Sequence, residues 1–211
     1  MMIVNEFWDM VSLLETVLAH NKLEEPQSIH NISYFTEQIY KEVQLNYPKL
    51  NISDEEIENV SKLATIHDIG KLFTPYEILN KKGKLTKDEM DIIKKHPLNG
   101  ANMALKLPKC GKASKLVQYA YNICLYHHER YDGQGYPKGL IGDEIPLCAQ
   151  VVGLADAYDA LIIERPYKRK INHGEAVRMI VNGECGSFSP KVILSFIIAS
   201  MNKMWIEKVS K

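Results

Sequence analysis

Three stretches of this chain carry apolar residues at helical spacing, and each stripe runs into an ionisable side chain. Ile57, Val60 and Ala64 lead to His67; Leu116, Ala120 and Ile123 lead to His127; Ala149 and Val152 lead to Asp156 and on to Ala160 and Ile163. Residues three and four apart share one face of a helix, so each apolar face also presents a His or an Asp. Burying an ionisable group costs several kcal/mol unless it is paired or bound to a metal. For one histidine alone, a satisfied core residue is the commoner outcome. Three independent helices pointing such groups inward change the balance, and metal ligation accounts for all of them together. The chain must fold so that these faces meet.

Helical period dominates the rest of the chain as well. Ser53-Asp54-Glu55-Glu56 and Thr86-Lys87-Asp88-Glu89 match the capping-box pattern that starts helices. Strand alternation, repeats and low-complexity segments are not found. Asn46-Tyr47-Pro48 and Leu107-Pro108-Lys109 read as interhelical loops. The expected fold is all-α, a single compact domain of roughly eight or nine helices, covering residues 28–211. Residues 1–27 form an N-terminal helical extension whose Phe7, Val11, Leu14, Val17 and Leu18 can cover the core or join a partner in a homodimer.

Lys and Arg total 26 against 26 Asp and Glu, a formal charge of zero. That excludes a general binder of nucleic-acid polymers or membrane surfaces and leaves room for a small phosphorylated ligand in a local positive pocket. The four cysteines, Cys110, Cys124, Cys148 and Cys185, form no framework and read as reduced thiols of a cytoplasmic protein. The most apolar stretch, Val192 to Met204, is interrupted by serines, Asn202 and Lys203, and reads as a buried helix rather than a membrane span.

Two doublets define the candidate chemistry, His67-Asp68 and His127-His128. Successive helix residues point roughly 100° apart, so adjacent ligands address neighbouring ions more easily than they chelate one. An Asp can bridge two ions through its two oxygens. Imidazole with carboxylate suits Fe, Mn, Zn or Co and disfavours Ca or Mg. Two such ions can activate a water and clamp a phosphate for in-line displacement.

The ordered motifs His67-Asp68-Ile69-Gly70-Lys71, His96-Pro97, His127-His128-Glu129-Arg130-Tyr131-Asp132-Gly133-Gln134-Gly135-Tyr136-Pro137 and Asp156-Ala157-Tyr158-Asp159-Ala160-Leu161 resemble the HD-GYP domain. This is a branch of the HD phosphohydrolase superfamily that hydrolyses the bacterial second messenger cyclic di-GMP. Ile145-Pro146-Leu147, Arg165-Pro166-Tyr167-Lys168 and Phe188-Ser189-Pro190 extend the likeness. The resemblance implies two divalent ions, Fe or Mn with Zn as a further candidate. Their ligands would be His30, His67, a bridging Asp68, His96, His127, His128 and Asp156. It also implies catalytic assistance from Lys71, and substrate contacts from Gly135, Tyr136, Arg165 and Lys168. The implied reaction is attack of a metal-bridging hydroxide on a phosphodiester of cyclic di-GMP, giving pGpG, with GMP as the product of a second cut. A phosphohydrolase of another cyclic dinucleotide and a catalytically silent nucleotide sensor are the competing readings.

Two departures from the pattern stand out. Some family members carry a glutamate one turn before the first histidine, which recruits a third ion; counted from His30, that position is Pro26. Ser189 stands where an Asp is usual, a change that reads as structural. His20 and His173 fall outside the ligand set and read as solvated.

Overall fold

Apolar stripes become helices where a cap starts them and a helix breaker stops them. The computed structural model describes residues 2–21, 23, 25–108, 112–163 and 170–209. Its helices are α1 (Met2–His20), α2 (Pro26–Asn46), α3 (Asp54–Ala64), α4 (Tyr76–Leu79), α5 (Lys87–Ile93), α6 (His96–Ala104), α7 (Lys112–Tyr126), α8 (Leu147–Ile162), α9 (His173–Val181), α10 (Pro190–Ser200) and α11 (Lys203–Val209). Eight of these run nine residues or more, as the sequence pattern predicts; α4, α5 and α11 are shorter. The described residues contain no strand, only an isolated bridge between Asp132 and Ile141. No helix among them is long and apolar enough to cross a membrane.

The two capping boxes fare differently. Thr86 accepts from Glu89 N at 3.2 Å while Thr86 N donates to the Glu89 carboxylate at 2.7 Å, a complete box. Ser53 accepts from Glu56 N at 3.1 Å, but the Glu56 carboxylate accepts from the Tyr40 hydroxyl at 2.6 Å instead of reaching back. A tertiary bond has taken the local partner, and it ties α3 to α2.

Helix α2 packs against α3, α8 and α10, and α7 packs against α3, α6 and α8. Between these two central helices lies one hydrophobic core. An aromatic nest fills one end of it. Phe35 stacks on Trp205 with ring centres 4.5 Å apart and meets Tyr158 edge-on at 5.0 Å. Trp205 Nε1 donates to the Tyr158 hydroxyl at 3.1 Å, which lies 2.8 Å from His173 Nδ1. His173 is therefore engaged with the core rather than merely solvated, whereas His20 is exposed. Helix α1 covers the core, burying Phe7, Val11 and Leu18, and its Glu15 accepts from Thr65 Oγ1 at 2.5 Å.

The short 3-10 turn Ile69–Phe73 packs closely on α6. Gly70 makes this approach feasible, since a Cβ there would lie 1.9 Å from the His96 carbonyl oxygen and 2.5 Å from Gly100 N. Both obstacles are backbone, so no rotamer change can relieve them. Gly70→Ala is expected to destabilise the protein by about 1–3 kcal/mol, the usual cost of overpacking. For a chain of this size that lowers the melting temperature by roughly 2–12 °C, which a thermal melt followed by circular dichroism would measure.

Candidate metal centre

Helices α3, α5 and α7 each end within three residues of a histidine: Ala64 precedes His67, Ile93 precedes His96, and Tyr126 precedes His127. Carbonyls in the last turn of a helix keep acceptor capacity, and each imidazole turns back onto them; those of Ala64 and Ile123 also accept from the backbone N–H of the same histidine. His67 Nδ1 lies 2.9 Å from the Ala64 carbonyl, and His96 Nδ1 lies 2.8 Å from that of Ile93. His127 Nδ1 lies 2.9 and 3.0 Å from those of Ile123 and Cys124. A carbonyl only accepts, so each Nδ1 keeps a proton, and the lone pair of the neutral ring sits on Nε2.

Those Nε2 atoms converge. His96 Nε2 and His127 Nε2 are 3.3 Å apart, too close for two lone pairs unless a cation or proton stands between them. Asp68 Oδ1 lies 2.9 Å from His96 Nε2 and 3.7 Å from His127 Nε2. Its other oxygen, Oδ2, lies 3.3 Å from His67 Nε2 and pairs with Lys71. Asp156 Oδ1 is 3.7 Å from His67 Nε2. The two oxygens of Asp68 thus serve two adjoining nests. In the first, ligand atoms of Asp68, His96, His127 and His128 all lie within 4.8 Å of one another. The second joins Asp68, His67 and Asp156.

The first nest has the donor set of a divalent-ion site. His67 Nε2 and Asp68 Oδ1 are buried without a hydrogen bond of proper geometry, and an unsatisfied buried polar atom calls for an ion or water. Mixed imidazole and carboxylate donors favour Fe, Mn, Co or Zn.

Charges within the cage balance one another. Burial by itself would raise the Asp68 carboxyl, but Lys71 foremost, then His67 and His96, hold it well below the usual carboxylate range. Asp156 is likewise held low against the effect of burial, chiefly by the nearby His67. Burial disfavours a charged His67, yet Asp68 and Asp156 together keep its pKa well above the ordinary value. Desolvation dominates at His127 and His128 and lowers both, which leaves them neutral and ready to ligate.

The loop after the second doublet forms the rim. Glu129 is buried, and its carboxylate accepts from Lys138 N at 2.7 Å and Leu140 N at 3.0 Å. Gly135 lies against the Glu129–Arg130 backbone, where a Cβ would come within 2.3 Å of Arg130 N. These contacts lay the Tyr136 ring on His128, with centres 4.7 Å apart and planes inclined by 25°. Lys94 Nζ sits 5.3 Å from the centre of the same ring. Arg130 bonds to the carbonyls of His127, Glu129 and Cys185 and lies over Phe188. It also lines a cavity of about 580 Å³ with Asp132, Gln134, Asn182 and Ser187. None of the cluster's histidines or aspartates lines that cavity, so it is separate from the chemistry.

Of the residues predicted from sequence, His67, Asp68, His96, His127, His128 and Asp156 come together, with Lys71 on Asp68 and Gly135 and Tyr136 at the rim. His30 does not join them. It is exposed on the first turns of α2, while its neighbours Ser28, Ile29, Asn31 and Ile32 face inward; the helical phase of α2 turns His30 outward. Arg165 and Lys168 lie outside the described residues. Sequence reasoning missed the part of Lys94, and gave Glu129 only a general supporting role. Nor did it single out Ser28 and Asn31, which both donate to the buried Asp159, Asn31 Nδ2 at 2.9 Å from Asp159 Oδ1. A serine and an asparagine carry no signal until α2 is phased against α8.

Comparison with known proteins places this geometry in context. The profile of the HD domain family matches residues 17–192. A probable cyclic di-GMP phosphodiesterase of Vibrio cholerae is 44% identical over 152 residues, covering 72% of this chain and 34% of that protein. A cyclic di-GMP phosphodiesterase of Pseudomonas aeruginosa is 41% identical over 151 residues, covering 72% of this chain and 35% of its own length. The chain thus spans about a third of the length of these curated relatives. Among solved structures, a cyclic GMP-AMP-specific phosphodiesterase of V. cholerae shares the fold with a TM-score of 0.64 at 17% identity, covering 96% of this chain and 50% of that one.

The anchoring of the rim can be tested without any ligand. Glu129→Ala removes the acceptor for two loop amides, and hydrogen exchange at Lys138 and Leu140 is expected to accelerate by at least tenfold while the α7 and α8 amides keep their protection. Unchanged exchange at both loop amides would mean that Glu129 does not hold the loop.

Proposed function

The chain belongs to the HD domain family and carries the motifs of its HD-GYP branch, and on that premise we propose that it hydrolyses a phosphodiester bond of cyclic di-GMP, in the cytoplasm, with two divalent ions. Iron or manganese is the preferred pair, with zinc compatible with the same donors. The observation that carries this reading is the meeting of three Nε2 atoms, their Nδ1 protons fixed by helix-end carbonyls, around an Asp whose oxygens face two nests. His96, His127 and His128 would hold one ion, His67 and Asp156 the other, and Asp68 would bridge. When bound, such a pair supplies an activated water and neutralises charge on the phosphate undergoing displacement.

The chain's own groups supply the rest. Lys71 keeps one oxygen of Asp68 in place and brings a fixed positive charge to the edge of the nest, where it can offset charge developing on a phosphoryl oxygen. Desolvation keeps the Tyr136 hydroxyl protonated, so at the rim it can donate to a guanine edge. Gly135 permits the loop to run close beneath it. Arg165 and Lys168 are assigned to the second phosphate or the base edges, as bidentate and point-charge donors respectively. The linear dinucleotide pGpG is the first product, and a second cut would give GMP.

A different cyclic dinucleotide is the competing substrate, favoured by 37% identity over 128 residues to a 3'3'-cGAMP-specific phosphodiesterase of V. cholerae. Hydrolysis of cyclic di-GMP, cyclic GMP-AMP and cyclic di-AMP by anaerobically metallated protein separates the two. The expected result is a kcat/KM at least tenfold higher for cyclic di-GMP. Asp68→Ala should keep the fold, lose most of the bound metal and reduce turnover by at least 10³-fold. A folded Asp68→Ala protein that turns over normally would exclude the mechanism, and native protein that binds cyclic di-GMP without cleaving it would mark a sensor.

A further inference from the structure

Helix α2 packs against α8, which carries Asp156, and against α3, which leads to His67, but its His30 is turned to solvent. Asn31, the next residue, is only 4% exposed. Its Nδ2 donates to Asp159 Oδ1 at 2.9 Å, and Ser28 Oγ donates to the other oxygen of the same carboxylate. The carboxylate accepts both bonds, so it fixes which way the amide lies: nitrogen toward Asp159, oxygen away from it. That oxygen, Asn31 Oδ1, is buried and has no hydrogen-bond partner among the described residues.

A buried amide oxygen without a donor is rare in native folds, and this one lies in a telling neighbourhood. Asp159 sits one helical turn beyond Asp156 on α8, and Asp156 faces His67 Nε2, itself buried and without a hydrogen bond. Helix α2 packs on α8 and also on α3, the helix that delivers His67. We infer that Asn31 Oδ1 is the donor that α2 contributes to the ion held by His67, Asp68 and Asp156, and that His30 has no part in the centre. This rests on the two-ion reading of the cage.

The consequence is an unequal pair of sites. One ion would have three imidazoles and a single carboxylate oxygen, a nitrogen-rich set. The other would have one imidazole, two carboxylates and an amide oxygen, an oxygen-rich set that is better suited to manganese than to softer ions. Ser28 and Asp159 would be positioning residues, holding the amide so that its oxygen faces the ion.

Equilibrium dialysis of the chelator-stripped full chain against Mn(II), with bound ion counted by electron paramagnetic resonance, tests this without substrate. Native protein should bind two ions of different affinity. Asn31→Ala should weaken one of them by about 10–100-fold, the range typical for lost support of a metal site, and leave the other unchanged. His30→Ala should bind both as native protein does. Asn31→His, which can still donate to Asp159 and offers a nitrogen in place of the oxygen, should tighten the affected ion by at least tenfold. It decides the matter if Asn31→Ala does not fold, since unchanged affinity in Asn31→His overturns the assignment. Native affinities in a folded Asn31→Ala protein, or a selective loss in His30→Ala, overturn it too. A native chain that binds no transition metal would instead refute the two-ion centre itself, an outcome distinct from two normal ions in Asn31→Ala.

Discussion

The arrangement depends on one local interaction repeated three times, a histidine Nδ1–H placed on a carbonyl of the last helical turn. Carbonyls there keep acceptor capacity, and His67, His96 and His127 supply donors to them from the residues just beyond α3, α5 and α7. The bond sets the tautomer, orients the ring and leaves Nε2 as the ligating atom. It also explains why both doublets lie just past a helix rather than within one. At a helix end the chain can turn, so the second member of each doublet is free to face a different direction. Asp68 uses this freedom to present one oxygen to each nest, and His128 to reach the first nest beside His127.

The scaffold holds these helix ends together by close packing. The turn carrying Asp68 and Lys71 presses against α6 at Gly70, which brings His96 to Asp68. Helix α7 lies on α3, α6 and α8, so the segment delivering His127 and His128 touches the elements carrying the other ligands. Helix α1 lies over this assembly and shares its core, with Phe7 and Leu18 fully buried. The aromatic nest of Phe35, Tyr158, Phe196 and Trp205 braces α8 from the other end. Tyr158 lies between Asp156 and Asp159 in sequence, so packing of its ring sets the rotation of α8 that both carboxylates share.

Much of this was legible in sequence because period and punctuation survive into the fold. The stripes ending at His67 and His127 are buried along their whole length, and the Thr86 box forms in full. The stripe through Asp156 was less faithful: Ala149 and Val152 are buried, but Ala160 and Ile163 are partly exposed as α8 leaves the core. His30 failed for a physical reason. Isolated from its neighbours, α2 offers both His30 and Asn31 near its first turns, and one residue shifts the direction of a side chain by roughly 100°. Only the packing of Ile29, Ile32, Phe35 and Ile39 into the core fixes that phase, and it turns Asn31 inward. The role of Glu129 was hidden in the same way, because its partners are backbone amides nine and eleven residues later, which side-chain patterns do not encode.

Charge in the cage then determines what can enter it. Without ions, Asp68 and Asp156 are offset by Lys71 and by a proton on His67 that the two carboxylates stabilise. His127 and His128 stay neutral because burial opposes their charging. An incoming ion therefore competes with the His67 proton, and two ions would leave the site with a surplus of positive charge even with Asp159 and Glu129 buried nearby. A low-dielectric site does not tolerate such a surplus well. The natural remedy is an anion that bridges the ions and lies beside Lys71. A phosphodiester has that charge, and it would approach across Tyr136 and Lys94, where the loop anchored by Glu129 forms the rim of the nest. If the proposed ions bind, an affinity for phosphate would follow from the same balance that holds the unbound cage together.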